Sequence, residues 1–526
     1  VDNNSNVLIR KIVIQNKSRN ILKIKLFFYH RLLISGHRLA NTAFYDPVNE
    51  VVIHYRGRRI FLIGCQNSAL EYGVKEYNVG VWQYHGQEGS HQDAADNSLA
   101  MNAVEHGPAD SIIAIEEEVK PESEVISHYW LVAADSIEQS LKIHEKLKKI
   151  GPGRCIDNTS KFWHAWVNKN PHNSKLIPET IWSLYKRSLL VIRAHIDKRG
   201  GTIASSDSMR LTYHKEDYAF VWPRDGALTC FALDSAGYPE VSRKFFDFMA
   251  DVVTEDGYMH HKYLPDQSLG SSWHAHINQK QWLSKKTLQL PIQEDETATV
   301  IFSLWHHYQT DKDIEYIKAL YEPLIRKSGK FMVNYRDPKT KLPLESYDLW
   351  EEKLGIATYT ACSVYGGLIA ASKFAQLLGY HDDFTEFKQT ADEVKSALVK
   401  YLFSPNRKAF VRTATYGENG LILDETLDAS SLYGLWFFGV LDPHDEKLIQ
   451  TEAAILKHLS NPAKAKGIFR YEGDYYHRNG DLPNPWFIST MWMIQLQIIR
   501  AVNLTQLKHC IHELDWVLKH RTTSGL

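Results

Sequence analysis

Short runs of β-branched and aromatic residues, separated by polar clusters, characterise the first 135 residues of the chain. Several of these runs alternate between apolar and polar positions, which is the pattern of a half-buried strand. Asn, Gly, Ser and Asp cluster between the runs and predict turns. We therefore predict an antiparallel β-sandwich domain over residues 1–135. Its predicted strands span residues 7–14, 21–28, 51–55, 60–63, 112–115 and 125–132.

The hydrophobic period becomes helical after residue 135 and stays so almost to the end of the chain. We predict a helical linker at residues 136–175 and a helical domain at residues 176–526. The first helix of this domain is predicted to begin at Pro178, which suits a first helical turn, and to end at Gly200. The further predicted helices span residues 226–235, 239–253, 294–308, 314–332, 364–378, 383–403, 428–440, 445–459, 485–502 and 506–520. Because short turns alternate with long aromatic loops, we expect a ring of helical hairpins with the functional loops on one face.

Composition and charge are those of a globular protein with more than one domain. The chain has 526 residues, 44% of them hydrophobic and 23% charged, which is more length than one core usually organises. Its 61 Lys and Arg residues balance 62 Asp and Glu residues, so no net field favours nucleic acid or an anionic membrane surface. We therefore expect neither of them as a partner.

Cysteine usage and the absence of a leader pattern bear on location. Five widely spaced cysteines without a C-x-x-C pair indicate a reducing compartment. Apolar runs stay below the roughly 18 residues of a membrane span, and no basic, hydrophobic signal peptide opens the sequence. We expect a cytoplasmic location and, since the chain begins with Val rather than Met, an N-terminus further upstream.

Aromatic residues make up 12% of the chain, and many of them stand beside charged residues. Rings next to carboxylates and arginines suit a ligand with apolar faces and hydroxyl edges, which is the chemistry of a sugar. Four loops combine such residues next to predicted helices. They are the first loop (218–226), the second loop (293–298), the third loop (347–352) and the fourth loop (470–487).

The first two loops each allow a structural and a functional interpretation. The first loop carries Tyr218, Trp222, Arg224 and Asp225. A forked guanidinium and a carboxylate can bind several hydroxyls beside an indole face, although such a pair also caps helices. The second loop reads Q-E-D-E-T-A, and three adjacent acids are more typical of a solvated helix start, favoured by the helix dipole, than of a site.

The other two loops also combine aromatic and charged residues. In the third loop, Y-D-L-W-E-E, Trp350 precedes the adjacent carboxylates Glu351 and Glu352. An environment that raises the pKa of one of them produces a general acid near neutral pH, although exposed Glu-Glu pairs are common. The fourth loop runs from Arg470 through Y-E-G-D-Y-Y to Trp486 at a predicted helix start. Each loop alone is weak evidence for a site, but four such loops in one helical ring indicate an active site.

Other chemistries receive little support from the sequence. His260, His261, His274 and His276 are possible metal ligands, but the H-E-x-x-H spacing is missing and a long loop separates the two pairs. We therefore expect no metal. The sequence contains no G-x-S-x-G elbow, no phosphate-binding G-x-x-x-x-G-K and no dinucleotide fingerprint, so we expect no cofactor and no acyl, phosphoryl or hydride transfer.

Together the motifs resemble glycoside hydrolase family 15, the glucoamylase family, which also includes glucodextranases and certain microbial trehalases. The segments V-W-P-R-D-G, P-I-Q-E-D-E-T-A, Y-D-L-W-E-E, T-L-D-A-S-S-L, R-Y-E-G-D-Y-Y and N-P-W-F occur in the family's order from about residue 183 onward. The strand-rich N-terminal part is similar to the sandwich domain that precedes the catalytic domain in prokaryotic members.

The resemblance implies an (α/α)6 barrel whose loops form a pocket for the non-reducing end of an α-glucan, and hydrolysis with inversion that releases β-glucose. It implies Glu351 as the general acid. Arg224 and Asp225 match the pair that holds the terminal glucose, and Arg470 and Trp486 border the next sugar. The full set of substrate-binding residues that it implies is Tyr218, Trp222, Arg224, Asp225, Trp350, Glu352, Arg470 and Trp486.

The family's general base is a glutamate between the eleventh and twelfth helices of the barrel. Only residues 521–526 follow the last predicted helix, so the resemblance implies that the base and a last helix lie beyond Leu526. It also implies a sandwich that is incomplete at its N-terminus and slow or absent turnover by these 526 residues alone. Glu472 and Asp474 match binding and loop-ordering positions, and we expect a structural role for both.

Several alternatives stay open from the sequence. A trehalase or an α-1,6-specific glucodextranase shares the barrel and the acid motif, because selectivity lies in the loops around the second sugar. A non-catalytic glucan-binding module, similar to the glucoamylase-like regulatory subunits of phosphorylase kinase, keeps the barrel without turnover. Glu351 argues against such a module, and the missing base argues for it. The oligomeric state is not determined by the sequence.

Overall fold

The computed structural model divides the chain into two compact units, Val1–Lys169 and Asn170–Leu526. It describes residues 1–34, 39–170, 176–206, 218–270, 292–418, 420–463, 466–476, 478 and 480–522. Among the helices described, none combines the length and the apolar character that a membrane crossing needs. The domain limits predicted at residues 135 and 176 stay predictions.

The first unit consists of antiparallel strands in two sheets, followed by two helices. The larger sheet has the strand order β1-β9-β5-β4-β3-β7, and the smaller sheet has the order β2-β8-β6. The elements are β1 (Val7–Gln15), β2 (Leu22–Arg31), β3 (Asn41–Asp46), β4 (Val51–Arg56), β5 (Arg59–Gln66), β6 (Glu76–Val81), a 3₁₀ helix (Ser90–Asp96), β7 (Val104–Gly107), β8 (Ala109–Val119), β9 (Glu124–Ala134), α1 (Ile137–Ile150) and α2 (Pro152–Val167).

Apolar side chains between the two sheets form the core of the first unit. Val52 of β4 and Ile113 of β8 are both fully buried in the same cluster. On the other face of the larger sheet, Trp130 packs in a second cluster with Leu147 of α1. The indole of Trp130 also donates a hydrogen bond of 3.1 Å to His144 of the same helix. Burial of both faces explains why β9 and β5 are apolar along most of their length.

The second unit is helical, with short strands in its loops. Its helices are α3 (Glu179–Ala194), α4 (Pro223–Ser235), α5 (Pro239–Val252), α6 (Glu294–Asp311), α7 (Ile314–Leu320), α8 (Lys327–Asn334), α9 (Thr358–Leu378), α10 (His381–Tyr401), α11 (Ala429–Phe437), α12 (Glu446–Leu459), α13 (Phe487–Arg500), α14 (Leu504–Glu513) and α15 (Asp515–His520). Its strands are β10 (Ser346–Tyr347), β11 (Leu354–Ala357), β12 (Phe403–Ser404), β13 (Ala409–Phe410), β14 (Thr413–Gly417) and β15 (Gly420–Asp424). Two apolar clusters fill its interior, and α9 contributes to both of them.

Local sequence signals account for the helix ends that position the loops. Pro223 and Pro239 occupy the first turns of α4 and α5, where the missing N–H would have no helical partner anyway. The carboxylate of Asp428 accepts a hydrogen bond of 2.7 Å from the backbone N–H of Ser430 and caps α11. Gly379 ends α9 with a φ of 81°, which glycine adopts without strain. As a result, α4 begins directly at the first loop.

Some predicted elements differ from the structure. The predicted helix 506–520 is divided at Leu514 into α14 and α15. The predicted helix 314–332 contains a π-helical segment, Tyr321–Arg326, between α7 and α8. The antiparallel pair of β14 and β15, joined in register from Thr413 with Asp424 to Gly417 with Gly420, was not predicted. The segments on either side of these strands have a helical hydrophobic period, so the short strands were not recognised. In the structure, β14 pairs with β11.

Candidate active site

Arg224, the second residue of α4, connects the first loop with the second. Its buried guanidinium places Nη1 3.1 Å from Oε1 of Gln293 and 2.9 Å from Oδ2 of Asp295. Its Nη2 lies 3.6 Å from Oδ2 of the neighbouring Asp225. One buried cation thus holds carboxylates from the starts of two helices in a fixed geometry.

The acidic triplet of the second loop is buried, so its interpretation as a solvated helix start is wrong. Glu294, Asp295 and Glu296 are each 0% exposed. Burial raises the pKa of all three carboxyls, and Arg224 opposes this rise for Asp295 and Glu296. Within the described residues, the carboxyls of Glu294 and Glu296 have no hydrogen-bond partner, so burial favours their neutral form. The contact with Arg224 that enables this burial spans 71 positions of sequence and leaves no local pattern.

Hydrogen bonds to Asp348 fold the third loop into a turn that presents Glu351. The backbone N–H of Glu351 donates to the carbonyl of Asp348 at 2.9 Å, and the N–H of Glu352 donates to its carboxylate at 2.9 Å. The side-chain amide of Gln293 in the second loop also donates to the carbonyl of Asp348. Glu351 has a φ of 59°, a left-handed conformation that costs a non-glycine residue about 1–2 kcal/mol. Strain of this kind is concentrated at functional positions.

One carboxylate oxygen of Glu351 meets two ring nitrogens. Its Oε1 lies 3.0 Å from Nε1 of Trp222 and 2.9 Å from Nε2 of His261. The two ring nitrogens are themselves 3.1 Å apart, so the three atoms form a triangle. Trp222 and His261 are buried, whereas 28% of the Glu351 side chain is exposed. The buried rings therefore fix a carboxyl group that a ligand can still reach.

Asp225 is the exposed carboxylate nearest to Arg224. Its side chain is 46% exposed, although protein atoms surround it on its other sides. This burial raises the pKa of Asp225, Arg224 opposes the rise, and the carboxylate of Glu351 adds to it. An accessible carboxylate beside a fixed guanidinium offers both acceptors and donors to the hydroxyls of a sugar.

Glu352 is bound by two arginines and a tyrosine. Its Oε2 lies 3.1 Å from Nη2 of Arg412 and accepts a hydrogen bond from the hydroxyl of Tyr471. Its Oε1 lies 3.3 Å from Nη2 of Arg470. Both carboxylate oxygens are therefore paired with guanidinium groups. The neighbouring Glu351 faces an indole and an imidazole instead, so adjacent carboxyls of one loop have different surroundings.

Arg470 lies among aromatic rings in the fourth loop. Its guanidinium carbon is 4.6 Å from the ring centre of Trp486 and 5.0 Å from that of Trp350. Its Nε and Nη2 donate hydrogen bonds of 2.8 and 2.7 Å to Asp474. Although burial opposes it, these hydrogen bonds hold the pKa of Asp474 below its usual range. Asp474 thus fixes the orientation of Arg470 within the loop.

A sequence profile of the family described as glycosyl hydrolases family 15 matches residues 180–512, which is more than half of the chain. The chain belongs to this family. The described loops that meet in the site all lie within the matched residues, and they supply the contacts reported above.

Three relatives illustrate the position of this family 15 member. It is 26% identical over 498 residues to an uncharacterized glycosyl hydrolase of Methanocaldococcus jannaschii, a match that covers 93% of this chain and 72% of that protein. It is 26% identical over 339 residues to Trehalase 2 of Sulfolobus acidocaldarius, covering 61% of this chain and 54% of that protein. It is 22% identical over 431 residues to a glucoamylase of Clostridium sp., covering 77% of this chain and 55% of that protein. The chain thus spans about half the length of the two relatives whose names state an activity.

A solved structure shows the fold of this family 15 chain. A bacterial glucoamylase complexed with acarbose aligns with a TM-score of 0.70 and 16% sequence identity, covering 97% of this chain and 76% of that chain. The protein is mainly α, with an (α/α)6 barrel preceded by an antiparallel β-sandwich. This confirms the predicted fold class.

The structure brings all the predicted site residues into one connected group. Trp222 contacts Glu351, Glu352 contacts Arg470, and Arg470 contacts both predicted tryptophans of the later loops. Tyr218 lies at the edge of the group, with its ring 6.0 Å from that of Trp222 and 41% exposed. The roles of these residues in binding and catalysis stay predictions.

Three members of the group were missed as site residues. Arg412 places Nε 3.0 Å from Asp348, and Asp428 accepts a hydrogen bond of 2.9 Å from the indole of Trp350. Asp428 had one signal, an Asp before small residues at a predicted helix start. Arg412 had none, because it precedes the hairpin that the pattern did not predict. His261 was considered only as a metal ligand, and no pattern pairs it with a glutamate 90 positions away.

The histidines do not meet at a common point in the described part of the chain. His261 contacts Glu351, whereas the ring of His260 lies 5.5 Å from that of Tyr258. Among the described residues, no three His, Cys, Asp or Glu side chains are grouped as a metal site. His274 and His276 lie outside the described residues.

Proposed function

We propose that this family 15 protein hydrolyses α-glucosidic bonds at the non-reducing ends of α-glucans with inversion and releases β-glucose. The observation that carries the proposal is the Glu351 carboxyl group, which is partly exposed and held by Trp222 and His261 beside Asp225. The family membership, the named glucoamylase relative and the arrangement of the four loops support it.

Glu351 is the general acid in this proposal. On its buried side it contacts an indole and an imidazole, and Asp225 adds negative charge nearby. Negative neighbours favour the protonated form of a carboxyl group, which is the form that can donate. The proton passes to the glycosidic oxygen as its bond to the anomeric carbon breaks.

Arg224 and Asp225 bind hydroxyls of the terminal glucose. Asp295 and Gln293 hold the guanidinium of Arg224 before any sugar arrives, so little further ordering is needed on binding. The exposed carboxylate of Asp225 accepts from adjacent hydroxyls. Hydrogen bonds of this kind that strengthen in the transition state increase the rate.

The next sugar contacts the third and fourth loops. Trp350 and Trp486 offer ring faces around Arg470, and sugars stack their apolar faces on such rings. Glu352 supplies an acceptor whose position is set by its two arginines. Selectivity among linkages follows from how these groups orient the second ring.

Inversion also requires a second carboxyl group about 6.5–9.5 Å from the acid to activate water. Both carboxylate oxygens of Asp474 accept a hydrogen bond from Arg470. Glu472 pairs with Arg407 and accepts a hydrogen bond of 2.9 Å from the N–H of Leu427. The proposal therefore assigns the base to neither of them, and the anomer of the released sugar reports whether a base acts.

A trehalase is the second candidate function. Two relatives carry this name, Trehalase 2 of Sulfolobus acidocaldarius and a trehalase of Thermoplasma volcanium that is 20% identical over 385 residues. Trehalose also presents a terminal α-glucoside, so the same acid and the same glucose-binding pair suit it. The difference lies in the group that occupies the second position.

Proton NMR of fresh product tests these candidates before mutarotation mixes the anomers. The purified full-length protein is incubated with maltotriose, isomaltotriose or trehalose in separate samples. Initial β-glucose from maltotriose is expected, and initial α-glucose would contradict inversion. Cleavage of trehalose alone, into equal amounts of both anomers, would establish the trehalase instead. Cleavage of isomaltotriose alone would indicate a glucodextranase, and calorimetric binding without cleavage of any substrate would indicate a glucan-binding module.

A further inference from the structure

Arg412 stands immediately before β14, and both its backbone and its side chain are held by other segments. Its N–H donates a hydrogen bond of 2.9 Å to the carbonyl of Thr426, and its carbonyl accepts one of 3.0 Å from the N–H of Thr358 at the start of α9. Only 8% of its side chain is exposed. Its guanidinium carbon lies 3.9 Å from the ring centre of Tyr471 in the fourth loop. The position of the guanidinium group is therefore fixed from several directions.

The two carboxylate oxygens of Asp348 have different partners. Oδ1 accepts hydrogen bonds of 2.9 and 3.2 Å from the backbone N–H groups of Glu352 and Lys353, which closes the turn of the third loop. Oδ2 accepts a hydrogen bond of 3.0 Å from Nε of Arg412 and a second one from its Nη2. Because Asp348 is 1% exposed, its charge depends on this guanidinium group. Arg412 thus stabilises the carboxylate that organises the turn.

Arg412 is also connected to both sequence neighbours of Glu351. Its Nη2 lies 3.1 Å from Oε2 of Glu352. Its Nε lies 3.5 Å from Oδ2 of Asp428, the oxygen that accepts the hydrogen bond of 2.9 Å from the indole of Trp350. Glu351 itself has a φ of 59°, and a strained backbone of this kind persists only where the surrounding contacts determine it.

We propose that Arg412 is a positioning residue for the general acid. Through its contacts with Asp348 and Glu352, it holds the third loop in the turn that presents the carboxyl group of Glu351 to the glycosidic oxygen. This inference rests on the proposed role of Glu351 as general acid. A misplacement of about 1 Å between reacting groups can reduce a rate by about 10²-fold. Loss of the Arg412 contacts therefore weakens proton donation to the leaving group.

Two aryl α-glucosides that differ in their need for an acid test this proposal. The phenolate of phenyl α-glucoside is a poor leaving group that needs a proton, whereas the nitrophenolate of 4-nitrophenyl α-glucoside leaves with little help from an acid. Both aryl groups occupy the position of the second sugar, so a loss of binding there affects both substrates alike. The nitrophenyl-to-phenyl ratio of kcat/KM therefore reports proton donation.

Arg412→Lys and Arg243→Lys, each in the full-length protein, form a matched pair of variants. The guanidinium carbon of Arg243 also lies 3.9 Å from the centre of a tyrosine ring, that of Tyr316, and its Nη1 lies 2.7 Å from Oδ2 of Asp313. These partners belong to the start of α7 and not to the third loop.

The ratio is expected to rise by about 10- to 100-fold in Arg412→Lys, because lysine cannot reproduce the forked hydrogen bonds and part of the acid's contribution of about 10²–10⁴ is lost. It is expected to stay unchanged in Arg243→Lys. An equal loss of kcat/KM on both substrates in Arg412→Lys would indicate general structural damage and would overturn the inference.

Asp348→Asn supplies a second variant in case Arg412→Lys does not fold. The amide keeps an oxygen that accepts from the N–H groups of the turn, but it lacks the charge that pairs with the guanidinium group. We expect the ratio to rise in this variant as well. An unchanged ratio would overturn the inference.

Glu351→Gln separates this inference from the proposed function on which it rests. This variant is expected to raise the ratio by about 10²-fold or more, because the acid itself is removed. An equal loss on both substrates in Glu351→Gln would contradict the proposed acid. A ratio raised in Glu351→Gln but unchanged in Arg412→Lys would overturn only the positioning role of Arg412.

Discussion

Arg224 and Asp295 form a buried ion pair, with 2.9 Å between Nη1 and Oδ2. The two residues lie in the first turns of different helices, α4 and α6, and the pair joins the first loop to the second. Asp295 is 0% exposed, so its charge has no access to solvent. The partners of a buried ion pair depend on each other, because either one alone is poorly solvated.

Asp295→Ala is expected to lower the free energy of unfolding by about 3–5 kcal/mol, since it leaves the guanidinium of Arg224 buried without this partner. Urea denaturation followed by circular dichroism measures the change. Glu315→Ala is the control, because 81% of the Glu315 side chain is exposed. A loss below about 1 kcal/mol in Asp295→Ala would show that other groups compensate Arg224.

In the full-length protein, Glu351→Gln is expected to reduce kcat by about 10²–10⁴ while maltotriose binding is retained, because the amide cannot donate the required proton. Steady-state kinetics and titration calorimetry measure the two effects separately. Glu322→Gln is the matched control, since this glutamate is 60% exposed and pairs with Arg326 on the surface. Near-normal turnover of Glu351→Gln would place the acid elsewhere.

Arg470→Lys is expected to lower kcat/KM by about 10- to 100-fold, because lysine cannot reproduce the paired hydrogen bonds to Asp474 or the stacking between rings. The cause is loss of order in the fourth loop. Arg478→Lys is the control, since Arg478 donates only to backbone carbonyls among its described contacts. Equal kinetics for Arg470→Lys and the unsubstituted protein would refute a positioning role.

The first unit is expected to lose stability as the pH falls below 6.5. His30 of β2 and His54 of β4 both contact the hydroxyl of Ser111, at 3.1 and 2.8 Å. Burial, together with the neighbouring imidazole of His54, lowers the pKa of His30 to about 3. Burial alone lowers the pKa of His54 to about 4. Between these two pKa values and a pH of about 6.5, the unfolded chain therefore binds more protons than the folded chain does. The free energy of unfolding decreases with falling pH across that range.

Hydrogen exchange of the amides in β4 and β8 measures this effect. Between pH 7 and 5, His54 alone is expected to contribute a loss of about 2 kcal/mol. His54→Gln should show a smaller pH dependence than the unsubstituted protein, whatever its stability at pH 7. His106→Gln, at an exposed position, should keep the full dependence. An identical slope in His54→Gln would contradict the assignment.

Periodicity and motif order were enough to predict the fold class and the loops of the site. An alternating run predicted β1, because one face of this strand is more buried than the other, and a run of β-branched and aromatic residues predicted β9, which is buried on both faces. Helical stripes and proline or glycine signals predicted helices such as α3 and α9. Gly379, for example, ends α9 where its sequence signal indicated. These features depend on residues close together in the chain, so a linear pattern carries them.

Contacts between distant segments had no such pattern. The sequence pattern of the acids in the second loop predicted a solvated helix start. In the structure these acids are buried, and Arg224 from another helix forms an ion pair with Asp295. His261 looks like a possible metal ligand and instead contacts Glu351. Chain folding sets these distances, and burial then changes the pKa of each group that loses contact with water. Local residue types therefore supplied the chemistry of the site, whereas three-dimensional packing determined which of these groups contact one another and which are buried.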